Sequence, residues 1–204
     1  YHWDLPQVLQ DQGGWVSRST AEAFVEYADV ITRALSDRVR QWATLNEPFV
    51  SAHLGYLYGN HAPGHQSLDE MLAASHHLLL AHGRAIQAMR AETKTQLGIV
   101  LNHTPAFPAT ELEADRRAAR LDDGLNVRWY MDPVFRGQYP ADVLEHLGAD
   151  APRMEAGDLA EIAQPLDFLG VNFYTRSFIS TQQPAVPAPG KQGFTDMGWE
   201  IYPK

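Results

Sequence analysis

Four short apolar runs, separated by longer helical stretches, constrain the fold of this chain more than any other feature. They end near Asp4, Glu47, Asn102 and Asn172. Alternation of strand with helix predicts βα units and a parallel sheet. Each run is followed by polar and aromatic residues: His2-Trp3-Asp4, Asn46-Glu47, Asn102-His103 and Asn172-Phe173-Tyr174. An open doubly wound sheet collects ligands at one switch point. A (β/α)8 barrel instead carries its site on the C-terminal ends of several strands. Four decorated ends therefore predict an α/β fold, a partial (β/α)8 TIM barrel. Eight strands commonly take about 250 residues, so these 204 residues hold about half of them. Residues 1–204 read as a single incomplete domain.

The intervening segments fill in the pattern. Tyr1–Trp3 reads as the end of a strand, Val39–Leu45 and Leu97–Leu101 as strands, and Asp167–Tyr174 as the clearest strand. Ser19-x-x-Glu22 spells a capping box ahead of a helix over about 20–36, with Phe24, Tyr27, Ala28, Ile31 and Leu35 on its apolar face. Ser67-x-x-Glu70 opens a second helix running to about Ala91. Residues 48–66, rich in Gly, Pro, Tyr and His, read as a long aromatic loop. Residues 111–130, 140–147 and 157–163 read as helices. Residues 182–193, with three prolines and two glycines, read as a mobile surface loop.

Composition removes several classes of function. With 16 basic and 25 acidic side chains the net charge is −9, which disfavours phosphate backbones and anionic lipid surfaces. Neither nucleic acid nor membrane is an expected partner, and no apolar run is long enough to span a bilayer. There is no cysteine, so disulfide scaffolds, thiolate zinc sites and cysteine nucleophiles are absent. With no signal peptide visible, a cytoplasmic location is the expectation. The chain starts at Tyr1 and stops after Trp199-Glu-Ile-Tyr-Pro-Lys204 without a recognisable tail, which reads as an internal piece of a longer protein.

Among candidate functional residues Glu47 leads. It stands at a strand end between Asn46 and Pro48, where a carboxyl shielded by aromatics is suited to general-acid chemistry. Its neighbours suit sugars, which are bound by aromatic faces and planar polar groups. His2, Trp3, Asn46, Asn102, Asn172, Tyr56, Tyr58 and Tyr174 supply both kinds. Aromatics also dominate cores. Asn172, however, interrupts the apolar run Phe168–Val171, and a buried amide must find partners. His61-x-x-x-His65 encloses Pro63 and Gly64 and so is not a helical metal pair. Neither G-x-G-x-x-G nor a P-loop is present. No metal and no cofactor is expected.

Taken together, Tyr1-His-Trp-Asp-Leu-Pro6, Thr44-Leu-Asn-Glu-Pro48 and Gly170-Val-Asn-Phe-Tyr-Thr175 resemble glycoside hydrolase family 1 in order and context. Gly59-Asn-His-Ala-Pro-Gly64 and Gly198-Trp-Glu-Ile-Tyr-Pro203 fit the same family, and the resemblance runs from end to end. It implies a single (β/α)8 glycosidase domain, incomplete here and corresponding to about strands three to six, that hydrolyses β-glucosides or related oligosaccharides with retention. It also implies roles. Glu47 matches the general acid/base and Asn46 the residue at the sugar 2-hydroxyl. His2 and Trp3 match glycone-pocket residues, and Asn172 a residue near the acid/base. Tyr174 matches the tyrosine that hydrogen-bonds the nucleophile, and Asn102 falls on the aglycone side. The Thr-Glu-Asn-Gly segment that carries the nucleophile in this family is not found, so the remaining barrel segments are implied as partners. The competing expectation is a sugar-binding or interaction module on the same fold without catalytic activity.

Overall fold

The structure, a computed structural model, describes residues 1–182 and 193–201. In chain order it contains α1 (Gln7–Asp11), α2 (Arg18–Leu35), β1 (Gln41–Asn46), a π-helical segment (Val50–Leu57), α3 (Leu68–Glu92), β2 (Gln96–His103) and β3 (Ala106–Pro108). There follow α4 (Glu113–Asp123), a second π-helical segment (Gly124–Arg128), α5 (Trp129–Arg136), α6 (Ala141–Leu147), α7 (Asp158–Ile162), β4 (Phe168–Phe173) and β5 (Ser177–Ile179). The loop expected at 182–193 lies, except for its two end residues, outside the described residues.

The sheet follows from the alternation read in the sequence. Its order is β1-β2-β4, and both pairings are parallel. Parallel neighbours need long crossovers; α3 supplies the first, and the run from α4 to α7 the second. β2 and β4 pair without interruption from Gly98 opposite Phe168 to His103 opposite Phe173. β1 and β2 pair regularly from Gln41 to Ala43, then slip, so that Asn46 falls opposite Val100. Beyond the C-terminal ends, β3 and β5 form a small parallel pair of their own.

The expected strand at Tyr1–Trp3 is not formed. Tyr1 does lie along the outer edge of β1, where its amino group donates to the Thr44 carbonyl (2.9 Å) and its carbonyl accepts from the Asn46 backbone nitrogen (2.8 Å). Two bonds at a single residue fall short of a ladder.

The helix α3 is the centre of the core. Leu72, Leu78, Leu79, Leu80 and Ile86 are fully buried, as are Leu97 and Ile99 of β2 behind them. A helix apolar on nearly all sides belongs in an interior. It packs between α2, the first π-helical segment and α7. At Gly83 the approach of α7 is so close that a Cβ would collide with the Glu161 carbonyl. The N-terminus of α3 is capped as predicted, with the Ser67 hydroxyl accepting from the Glu70 backbone nitrogen (3.3 Å).

The capping box expected at Ser19 does not form. Here α2 begins at Arg18, its N-cap Ser17 makes no side-chain cap bond, and the Ser17 and Ser19 hydroxyls bond each other instead (2.8 Å). Residues 48–66 are also not a simple loop, because Val50–Leu57 coils into a π-helical turn that buries Ser51, Ala52, His53, Gly55 and Tyr56. Glycine and aromatic content masked it, since burial against α3 overrides local propensity. The helical stretch read at 111–130 continues to Arg136 in three pieces.

One buried ionic cluster ties the helical layer together. Asp158, at the start of α7, accepts two bonds from Arg18, one from His76 Nε2 (2.9 Å) and one from the Glu155 backbone nitrogen (2.8 Å). Burial pushes its carboxyl up, but these donors outweigh that and hold it well below the ordinary carboxylate range.

Candidate active site

Because the three strands are parallel, their C-terminal ends share one edge, and Asn46, Glu47 and Asn172 gather there. Glu47 follows the last residue of β1 and is nearly buried. Its φ of 52° is the only positive value at a non-glycine residue among the described residues. This left-handed conformation is costly for a residue with a Cβ. Glu47 is kept there because its backbone nitrogen donates to the Val100 carbonyl of β2 (2.9 Å), just past the register slip. In a regular strand Asn46 and Glu47 would point to opposite faces. Slip and left-handed turn together bring both to the same neighbour.

That neighbour is Asn172 of β4. Its Nδ2 donates to Glu47 Oε1 (2.8 Å) and to Asn46 Oδ1 (3.0 Å). The amide that interrupts an otherwise apolar strand is thus spent on a carboxylate and a second amide, which accounts for its presence there. The other carboxylate oxygen, Oε2, faces His2 Nε2 at 3.4 Å. The His2 ring lies tilted against Trp3, with centroids 4.4 Å apart and an interplanar angle of 37°, and Trp3, half exposed, meets the edge of His61 at 4.9 Å.

The remaining predicted residues take other places. Asn102 of β2 pairs in register with Asn172, so the two side chains leave the sheet on the same face. Tyr174 is 63 % exposed and lies flat against Trp199, with ring centroids 5.1 Å apart and an interplanar angle of 15°. Tyr56 belongs to the core, where its hydroxyl accepts from the Trp15 backbone nitrogen (3.1 Å). His65 pairs with Glu70 (2.7 Å). A cleft of about 950 Å³ opens behind Trp3, lined by Asp4, Gln7, His61 and Glu70 among others, and Glu47 is not part of its wall. The carboxylate instead stands, largely buried, at the C-terminal edge of the sheet.

Two neighbours went unnoticed in the sequence. Ser51 donates from its hydroxyl to the His2 carbonyl (2.5 Å). A serine in a glycine- and aromatic-rich stretch carries no sequence signal of that kind. Trp199 stands in the Gly198-Trp-Glu stretch that resembles the family, and its place beneath Tyr174 was not foreseen.

A parallel α/β sheet whose polar side chains gather at the C-terminal strand ends has the layout of the (β/α)8 barrel class. Within it the assignment is specific: the chain matches the family model "Glycosyl hydrolase family 1" over residues 1–199 and belongs to that family. It is 44% identical to a beta-glucosidase of Agrobacterium sp., over 99% of this chain and 46% of the relative. It is also 44% identical to beta-glucosidase A of Acetivibrio thermocellus, over 100% of this chain and 48% of the relative. Among solved structures, the family 1 b-glucosidase of Thermotoga maritima in complex with isofagomine lactam superposes with a TM-score of 0.91 at 40% identity, covering 99% of this chain and 47% of that one. The virulence factor SghA in complex with its substrate analog salicin gives a TM-score of 0.90 at 43% identity, over 99% and 46% of the two chains. The chain therefore spans about half the length of the relatives it matches. Its fold is the predicted partial (β/α)8 barrel.

Proposed function

We propose that this chain supplies the acid/base half of a retaining β-glucosidase, and that its residues form part of a single (β/α)8 glycosidase domain. The observation that carries this reading is the Glu47 carboxyl, held on one oxygen by Asn172 and facing His2 with the other. The beta-glucosidase names of the relatives support it. In this scheme Glu47 protonates the glycosidic oxygen while a second carboxylate, from barrel segments outside these residues, attacks the anomeric carbon. The leaving alcohol departs, Glu47 takes a proton from water, and the water releases the sugar. Two carboxyls about 5–5.5 Å apart are required for retention. Asn46, His2 and Trp3 bind the glycone, Asn102 lines the aglycone side, and Tyr174 reaches the second carboxylate. The substrate is a β-glucoside or a short oligosaccharide.

Among the described residues no helix is long and apolar enough to cross a membrane, and a cytoplasmic setting is part of the same proposal. The test is hydrolysis of a chromogenic β-glucoside by the full-length protein. Glu47→Gln is expected to lower kcat by about 10²–10⁴-fold, the usual worth of a positioned acid/base. A variant as fast as the parent would remove Glu47 from the reaction. A parent with sugar binding but no turnover would favour the sugar-binding module.

A further inference from the structure

The helical turn that follows Glu47 reaches back to the segment carrying His2. Ser51 lies one turn beyond Glu47, is nearly buried, and its backbone nitrogen donates to the Glu47 carbonyl at 3.4 Å. Its hydroxyl donates to the His2 carbonyl at 2.5 Å. One residue earlier, the Tyr1 carbonyl accepts from the Asn46 backbone nitrogen at 2.8 Å. The backbone on either side of the His2 nitrogen is therefore tied to the segment that bears Glu47. The imidazole itself has few other restraints. Its Nδ1 is buried and finds no hydrogen-bond partner among the described residues, and the ring it leans on, Trp3, is half exposed. His2 Nε2 and Glu47 Oε2 stand 3.4 Å apart above this tethered backbone.

We propose that Ser51 is a positioning residue of the Glu47 site: its hydroxyl fixes the His2 backbone so that the imidazole is presented to the carboxylate. The inference rests on the glycosidase reading above. Among the described residues the recorded partners of the Glu47 carboxylate are Asn172 and His2, and the Ser51 hydroxyl bonds the His2 carbonyl. It acts through His2, and a small displacement of a positioned group is enough to cost rate.

The test is made in the full-length enzyme with a chromogenic β-glucoside. Ser51→Ala is expected to lower kcat/KM by about tenfold, while thermal unfolding shows a single transition close to the parent's. Ser51→Thr keeps the hydroxyl and is expected to restore most of the loss. The Tyr1 hydroxyl ties the same segment at another point, donating to the Trp3 carbonyl (3.2 Å), so Tyr1→Phe serves as the control and is expected to keep the parent's kcat/KM. The ring signals of His2 in a ¹⁵N-histidine NMR spectrum are expected to shift in Ser51→Ala and return in Ser51→Thr, whether or not the enzyme turns over. An inactive parent with those His2 shifts would sink the glycosidase reading and leave the anchoring intact. An active parent whose Ser51→Ala variant keeps full kcat/KM and unshifted His2 signals would overturn the positioning role. Loss in Ser51→Ala that Thr does not restore, or that Tyr1→Phe reproduces, would overturn it as well.

Discussion

At the scale of single residues, the site is built on backbone that resists its own sequence. Glu47 holds a φ of 52°, a conformation that costs roughly 1–2 kcal/mol for a residue with a Cβ. Replacing it tests whether that strain is stored at the site. Glu47→Gly and Glu47→Ala both remove the carboxylate, but only glycine relieves the conformation. The glycine variant is expected to melt above the alanine variant, by a margin equivalent to about 1 kcal/mol. Equal melting temperatures in calorimetry would show that the turn is unstrained. The sequence made Asn172 legible because an amide that interrupts an apolar run needs a partner; Asn46 and Glu47 stood out as the polar end of a strand, and His2 through the Tyr1–Pro6 motif. It left Ser51 illegible, because a hydroxyl bonded to a backbone carbonyl leaves no mark on spacing or periodicity. Tyr174 was legible as a strand-end aromatic, but its partner Trp199 comes from a segment more than twenty residues further on, a pairing only the fold reveals.

At the scale of elements, strands and long helices were readable and their junctions were not. β2 and β4 appear where their apolar runs predicted them, and α3 starts at its capping serine. The π-helical turn after Glu47, the short helix α1 and the paired strands β3 and β5 were missed, because all depend on tertiary contact rather than local pattern. The helical elements also carry an acid sensitivity. His53 of the π-helical turn and His82 of α3 are buried, and burial drives both down to about 3 from an ordinary 6.5. His76 is lowered by burial too, against the pull of Asp158. In the unfolded chain these rings regain their ordinary affinity for protons. The unfolded state therefore binds more protons below about pH 6.5, and stability is full above that value and falls as pH drops toward 3. His82→Gln keeps a polar partner for the Thr44 hydroxyl, which bonds the ring at 2.6 Å. It is expected to flatten the dependence of unfolding free energy on pH between about 4 and 6 by close to one proton. A slope identical to the parent's would mean that His82 is already charged in the folded state.

At the scale of the whole molecule, the sheet is left open among the described residues. β4 pairs with β2 on one side only, and Val171 and Phe173 stand 50 % and 60 % exposed. Unpaired strand edges with apolar side chains invite association. These 204 residues expressed alone are expected to self-associate, with an average mass that rises with concentration in sedimentation velocity. A compact monomer at every concentration would show that the edge is protected by residues outside the described ones. The overall architecture was legible in the sequence because four decorated strand ends separated by helices fit few topologies. The first of those strands did not form as expected, and only Tyr1 reaches the edge of β1.

The slip between Ala43 and Asn46 has a meaning for anyone who would move this site elsewhere. Side chains alternate across a regular strand, so an Asn-Glu pair written onto the end of an undistorted one would send its two members to opposite sides. Here both reach the same amide because the chain changes step at that point and then turns left-handed. A designer transplanting this carboxylate to another scaffold would need to carry the kink with it, since the two letters alone do not encode where they point.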